Sequence, residues 1–236
     1  MITPRYFLFF GIFPALFLNL FASLFYFVWF SESGFTNVLY GFSKVLLIFF
    51  PIMWLLFLGK ERKKIFPSFF ERGAWKNAIL WGLLSGFIIL LLGMTIFFLF
   101  ENFFREFTPE ITEKIQQMGI ASPGFYLVFS GIISLFHSLF EEFYWRYFVF
   151  RGLLVQFGTL SASILSSIGF SLHHFVILGE YFPFLLTLLL GSAVGIGGLF
   201  WCFLTKKTNT ILGNWISHIC VDAGIFGIGY LLVFSG

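Results

Sequence analysis

Charge is what this chain has least of. Asp, Glu, Lys and Arg make up 11% of its 236 residues, against about 25% in soluble globular domains. That deficit excludes a soluble fold, because no core of this length could hide 40 phenylalanines. Cysteine is almost as scarce. Cys202 and Cys220 both sit in apolar runs without CxxC spacing, so neither a disulfide framework nor a zinc knuckle is indicated. Internal repeats, low-complexity linkers and a recognisable soluble segment are also missing. The formal net charge of +3 is modest and points to no nucleic-acid partner. What is present is apolar: 59% hydrophobic residues and a mean hydropathy of +0.95. The class is an all-α polytopic membrane protein, with membrane lipid as its first partner.

Apolar runs long enough to cross about 30 Å of hydrocarbon fall at roughly 6–30, 38–58, 77–100, 123–157, 159–178, 182–204 and 209–235. The first reads as a retained span, being too long and too apolar for a cleavable signal. The last reads as one crossing, with a kinked pair near Gly224, Gly227 and Gly229 as the other reading, so seven to eight helices are expected. Lys60, Arg62, Lys63, Lys64, Arg72 and Lys76 crowd one connection, Lys206 and Lys207 another, and Arg5 precedes the first span. Glu32, the glutamates of 101–113 and Glu180 occupy the opposite connections. The positive-inside rule then places the N-terminus in the cytoplasm. Residues 101–120 alone mix charge and polarity; Phe103, Phe104, Phe107, Ile111 and Ile115 suit an interfacial amphipathic helix or an exposed loop equally well. Ser122-Pro123 reads as a helix start. A single transmembrane domain is expected, with N-terminal helices over 1–120 and the chemistry over 121–236.

Against this background Glu141, Glu142 and Arg146 stand out. A charged side chain at bilayer depth costs roughly 2.5–3.5 kcal/mol on insertion scales, so three within six residues call for partners or a function. The remaining polar candidates are His137, His173, His174, His218 and Asp222. Glu142 lies sixteen residues before Gly158 and His174 sixteen after it. If the chain turns at Gly158-Thr159, both sit about 24 Å from the turn and share a depth. His218, eleven residues beyond Lys207, lies roughly 16 Å from the same face, and tilt can close the difference. Glu142 and Arg146 form an i,i+4 pair, as do Phe170 and His174, and His218 and Asp222. Neighbours on a helix point about 100° apart, so one of Glu141 and Glu142, and one of His173 and His174, is expected to face the site.

A carboxylate can act as general base toward water, and neutral imidazoles can hold that water, ligate a metal or donate to an oxyanion. Arg146 could hold a glutamate ionised through a charge-assisted hydrogen bond. Each residue alone has a plainer reading. Glu142–Arg146 could be a packing ion pair, and His137 a helix-to-helix hydrogen bond. The joint occurrence on three helices favours a hydrolytic site. Intramembrane Glu, His and Asp also build proton relays, so a proton-coupled transporter is the main competitor; a non-catalytic immunity or scaffold protein is the other.

The ordered set Glu141-Glu142-x-x-x-Arg146, Phe170-x-x-x-His174 and His218-x-x-x-Asp222 resembles the CPBP family of intramembrane proteases, which includes the type II CAAX prenyl endopeptidases and the bacterial abortive-infection-like proteins. The resemblance covers roughly 120–236. It implies about eight transmembrane helices around an intramembrane polar cavity, in what would be a bacterial inner membrane, and cleavage of a membrane-associated protein or peptide. It assigns Glu141 as the water-activating carboxylate, Glu142 and Arg146 as its support, and His174 as an assistant in water activation. His218 and Asp222 would stabilise the oxyanion or bind water, with His173 as an accessory. No cofactor is required by this reading. A divalent metal such as zinc, held by His174, His218 and Asp222, is its variant. Three positions depart from the usual pattern: Tyr147 follows Arg146 where bacterial members carry Gly, the histidine is doubled, and Asp222 stands where the CAAX-processing branch has Asn. An ionised Asp donates no hydrogen bond, so it suits a water or a metal better than an oxyanion.

Overall fold

Each of the seven apolar runs is helical. A computed structural model of the protein describes residues 4–30, 36–59, 65–66 and 74–235, with the backbone alone at 4, 36–40 and 42–44. The basic cluster Lys60–Lys64, Arg72 and Glu32 lie outside the described residues. The helices are α1 (Arg5–Trp29), α2 (Thr36–Phe57) and α3 (Trp75–Leu99). The short α4 (Glu101–Arg105) and α5 (Thr108–Gln117) follow, then α6 (123–157), α7 (159–179), α8 (Phe184–Thr208) and α9 (Leu212–Phe234). No strand occurs among the described residues. The 101–120 stretch is thus helical rather than a loop. Ser122 caps α6 by accepting from the Phe125 amide at 3.3 Å, and Pro123 stands at its first position, where a missing N–H is harmless.

Five continuous helices are long and apolar enough to cross a bilayer, and the longest, Pro123–Gly179, runs for 57 residues. It does so only nominally. Gly158 has φ 72° and ψ 178°, a conformation that a Cβ would oppose, and the chain folds back there into α6 and α7. The turn is where the sequence places it. The last run is one helix, α9, across all three glycines.

The helices sort into two compact units, each assembled from separated stretches: residues 1–74 with 140–211, and 75–139 with 212–236. In the second unit α3 packs along α9. Small residues permit the approach: a Cβ on Gly82 would strike the Gly213 backbone, and one on Gly86 would strike Cys220 and Ser217. Ser85 donates to the Trp81 carbonyl at 2.6 Å and lies 3.1 Å from the Ser217 hydroxyl. This is how apolar helices associate where lipid removes the hydrophobic drive between them. Outward, α3 exposes Leu80, Leu83, Phe87, Ile88, Leu91 and Leu92, a surface suited to lipid. In the first unit α7 packs on α8 and on α1.

Candidate active site

Because α6 and α7 fold back at Gly158, residues equally far from the turn meet. Ser166 donates to the Trp145 carbonyl at 3.1 Å, and the rings of Trp145 and Phe170 lie 5.9 Å apart edge to face. Three residues beyond that contact, the same pairing joins Glu141 to His173, whose Nε2 stands 3.5 Å from the carboxylate. Both are buried, at 2% and 4% exposure. The depth argument therefore holds within this hairpin.

His174 belongs to the same group. Glu141, His173 and His174 each bring one ligand atom to within 4.8 Å of the others. The Nδ1 of His174 lies 2.9 Å from the Phe170 carbonyl. A carbonyl only accepts, so Nδ1 carries a proton, and in the neutral imidazole Nε2 then keeps its lone pair. The one-imidazole expectation needs revising here: both rings converge, with centroids 4.0 Å apart. The 100° divergence applies at the backbone, and two imidazole arms are long enough to lean toward one carboxylate between them.

Glu142 turns away from this group. It accepts from Arg146 at 3.2 Å, both side chains being essentially buried. The guanidinium lies 4.1 Å from the Phe170 ring centre and 4.8 Å from that of Trp201 on α8, so aromatic faces share the cation with the carboxylate. Gly198, one turn before Trp201, leaves the room: a Cβ there would come within 3.3 Å of Arg146 Nη2. The Nε and Nη2 of Arg146 have no hydrogen-bond acceptor among the described residues. Trp201 and Gly198 escaped the sequence reading because, among seven tryptophans and 24 glycines, nothing marks these two.

His218 and Asp222 belong to the second unit, where their side chains lie 3.6 Å apart along α9. His137 is in that unit as well. The zinc set read from the sequence, His174 with His218 and Asp222, is thus divided between units. The group gathered within one unit is Glu141, His173 and His174. Its chemistry fits a divalent ion: a carboxylate and two imidazoles are a known catalytic zinc set, and the Nδ1–H to carbonyl bond at His174 is the usual support for a metal-facing Nε2.

Residues 123–224 match a family model described as Rce1-like, type II CAAX prenyl endopeptidase Rce1-like. No curated protein matches the chain, and no solved structure does. The matched segment contains every residue of the three motifs, Glu141, Glu142, Arg146, Phe170, His174, His218 and Asp222, and His173 beside them. Over residues 123–224 this integral membrane protein is therefore similar to the Rce1-like type II CAAX prenyl endopeptidases.

Proposed function

We propose that this protein is an intramembrane endopeptidase that hydrolyses a peptide bond of a membrane-associated protein or peptide. The observation that carries the reading is the group of buried Glu141 and His173 with half-buried His174 inside the family-matched segment. A water held between the carboxylate and the imidazoles is the nucleophile. Glu141 takes its proton as the water oxygen attacks the carbonyl carbon, and the carbonyl electron pair moves onto oxygen. The same proton passes to the amide nitrogen as the carbon–nitrogen bond breaks. His174, with its proton fixed on Nδ1, turns an Nε2 lone pair toward the water. His173 neighbours the carboxylate and orients it. Arg146 pairs with Glu142 and so holds the helix turn that carries Glu141. His218 and Asp222 have roles at the oxyanion or a water by the family resemblance alone.

Glu141, His173 and His174 are also the residues that would hold a zinc ion. When bound, such an ion supplies Lewis-acid polarisation and a more acidic water. Proton transfer through Glu141 has the same form in either case. The N-terminus is cytoplasmic in this proposal. Cysteines placed at Arg62 and Glu110 should then label from opposite sides of sealed vesicles, and labelling from one side would overturn the orientation.

The test of function is cleavage in proteoliposomes, with a farnesylated CAAX peptide and an unprenylated transmembrane reporter as probes. The wild type should release new C-termini carrying one oxygen from labelled water, and Glu141→Ala should release none. Proton-driven ion flux without cleavage would favour a transporter instead.

A further inference from the structure

The first helix brings a polar side chain to the level of the catalytic group from outside the family-matched segment. Ile12, Ala15, Leu16, Asn19 and Ser23 recur at helical spacing and are all buried, which makes them the inward stripe of α1. Contacts within the first unit set the register. Phe7 packs edge to face on Phe148 at 5.8 Å, Ile12 occupies the space beside Gly152, and the Tyr144 hydroxyl donates to the Ala15 carbonyl at 2.6 Å. Residues 7–12 thus meet 148–152, and Ala15 meets Tyr144, so α1 runs antiparallel to this half of α6. It runs parallel to α7, where Leu16 and Trp145 both close on Gly169.

One turn beyond these contacts gives Asn19 on α1, Glu141 on α6 and His173 on α7. A turn rises about 5.4 Å, so the three occupy one layer to within that distance. All are buried, Asn19 at 6% exposure. Its Nδ2 has no acceptor among the described residues. A carboxamide denied hydrogen bonds in apolar surroundings is unfavourable by a few kcal/mol, which makes it a poor choice for mere packing in a span otherwise built from Phe and Leu.

We propose that Asn19 is part of the active site and donates its carboxamide N–H to the carbonyl oxygen of the peptide bond being cleaved. The proposal rests on the proteolytic reading above. As water adds to the carbonyl carbon, negative charge collects on that oxygen. A fixed neutral donor there strengthens its hydrogen bond without itself changing protonation. When the amine leaves with the proton from Glu141, the carbonyl re-forms and the bond to Asn19 relaxes.

Asn19→Leu conserves the shape and removes the donor; Asn19→Ala removes it without adding apolar bulk. Oxyanion donors contribute about 10²–10³ in kcat. Both variants should lose on that order in cleavage of the probe peptides, with KM within about threefold, while thermal unfolding in detergent does not fall below the wild-type temperature. A kcat within threefold of wild type in either variant overturns the role. So does a loss of activity that only tracks a loss of folded protein, because a packing residue would behave that way. A wild type that cleaves neither probe removes the proteolytic reading, and Asn19 with it, whereas active wild type with active variants removes Asn19 alone.

Discussion

The two units differ in the charge they bury. The second buries hydroxyls, Ser85, Ser130, Ser134 and Ser217 among them, together with Asn214 and His218; Ser85 pairs with Ser217 and Ser130 bonds within its own turn. Ser85 and Ser217 sit where α3 and α9 nearly touch at Gly82 and Gly86, and Ser85 and Ser130 cost little to bury because each donates to a carbonyl of its own helix. The first unit buries Glu141, Glu142, Arg146, Arg151 and His173. Arg151 has an evident structural task, donating to the Asn209 side chain at 3.1 Å and to its carbonyl at 2.9 Å, where α8 ends in a left-handed residue. Glu141 with two histidines has no such task. Hydroxyls and glycines suffice to pack this kind of helix, so a carboxylate and two imidazoles at one depth support the proposed chemistry.

The largest effect should come from dividing that group. Glu141→Gln keeps the shape and removes the base, and should lower kcat by about 10²–10⁴, the range of general acid–base catalysis. Residues acting as one unit are non-additive. Glu141→Gln with His173→Ala should therefore be about as impaired as Glu141→Gln alone. A double variant worse by the product of the two single losses would mean that His173 acts independently, and the cluster would lose its unity.

The next effect is on stability. Arg146→Leu leaves the buried Glu142 without its cation. Removing one partner of a buried pair destabilises by about 3–5 kcal/mol, which unfolding in detergent would register. Glu142→Gln added to Arg146→Leu should restore most of that, since the stranded charge is gone. Recovery of stability without recovery of cleavage would separate the pair's support of Glu141 from its support of the fold. If the double variant is no better than Arg146→Leu, the aromatic contacts of the guanidinium matter more than its carboxylate.

These residues also show how far a sequence can be read. Gly158 as a turn, the common depth of Glu141/Glu142 with His173/His174, and the Glu142–Arg146 pair all follow from counting along ideal helices. Counting fails where the helix is not ideal. Residues Phe143–Phe150 form wider turns of the π type, and Tyr144 through Phe150 are buried without a break, so no stripe of period 3.6 marks which face meets α1 or α7. The convergence of both histidines depends on side-chain torsions that spacing does not encode. Trp201 and Asn19 depend on long-range register, which appears only once Ala15 is found beside Tyr144 and Phe170 beside Trp201. The interleaving of the two units has no sequence mark at all, because no linker separates them.

The smallest effect expected is at Asp222, and it bears on whether the second unit shares the chemistry. Asp222 Oδ1 lies 3.6 Å from His218 Nε2. An Asn at that position offers an oxygen of the same shape and placement, so Asp222→Asn can still accept from the imidazole and gains a donor. If the acid–base work belongs to Glu141, His173 and His174, this variant should keep kcat within about tenfold of wild type, inside the span that one neutral hydrogen bond accounts for. Its activity should then respond to a chelator as the wild type does, because the carboxylate that would hold an ion is Glu141. A fall of a hundredfold or more would show that the negative charge of Asp222 takes part. If added zinc restored the chelator-treated wild type but not Asp222→Asn, the ion would have a ligand in the second unit. The sharp contrast between a unit that packs and a unit that reacts would then no longer stand.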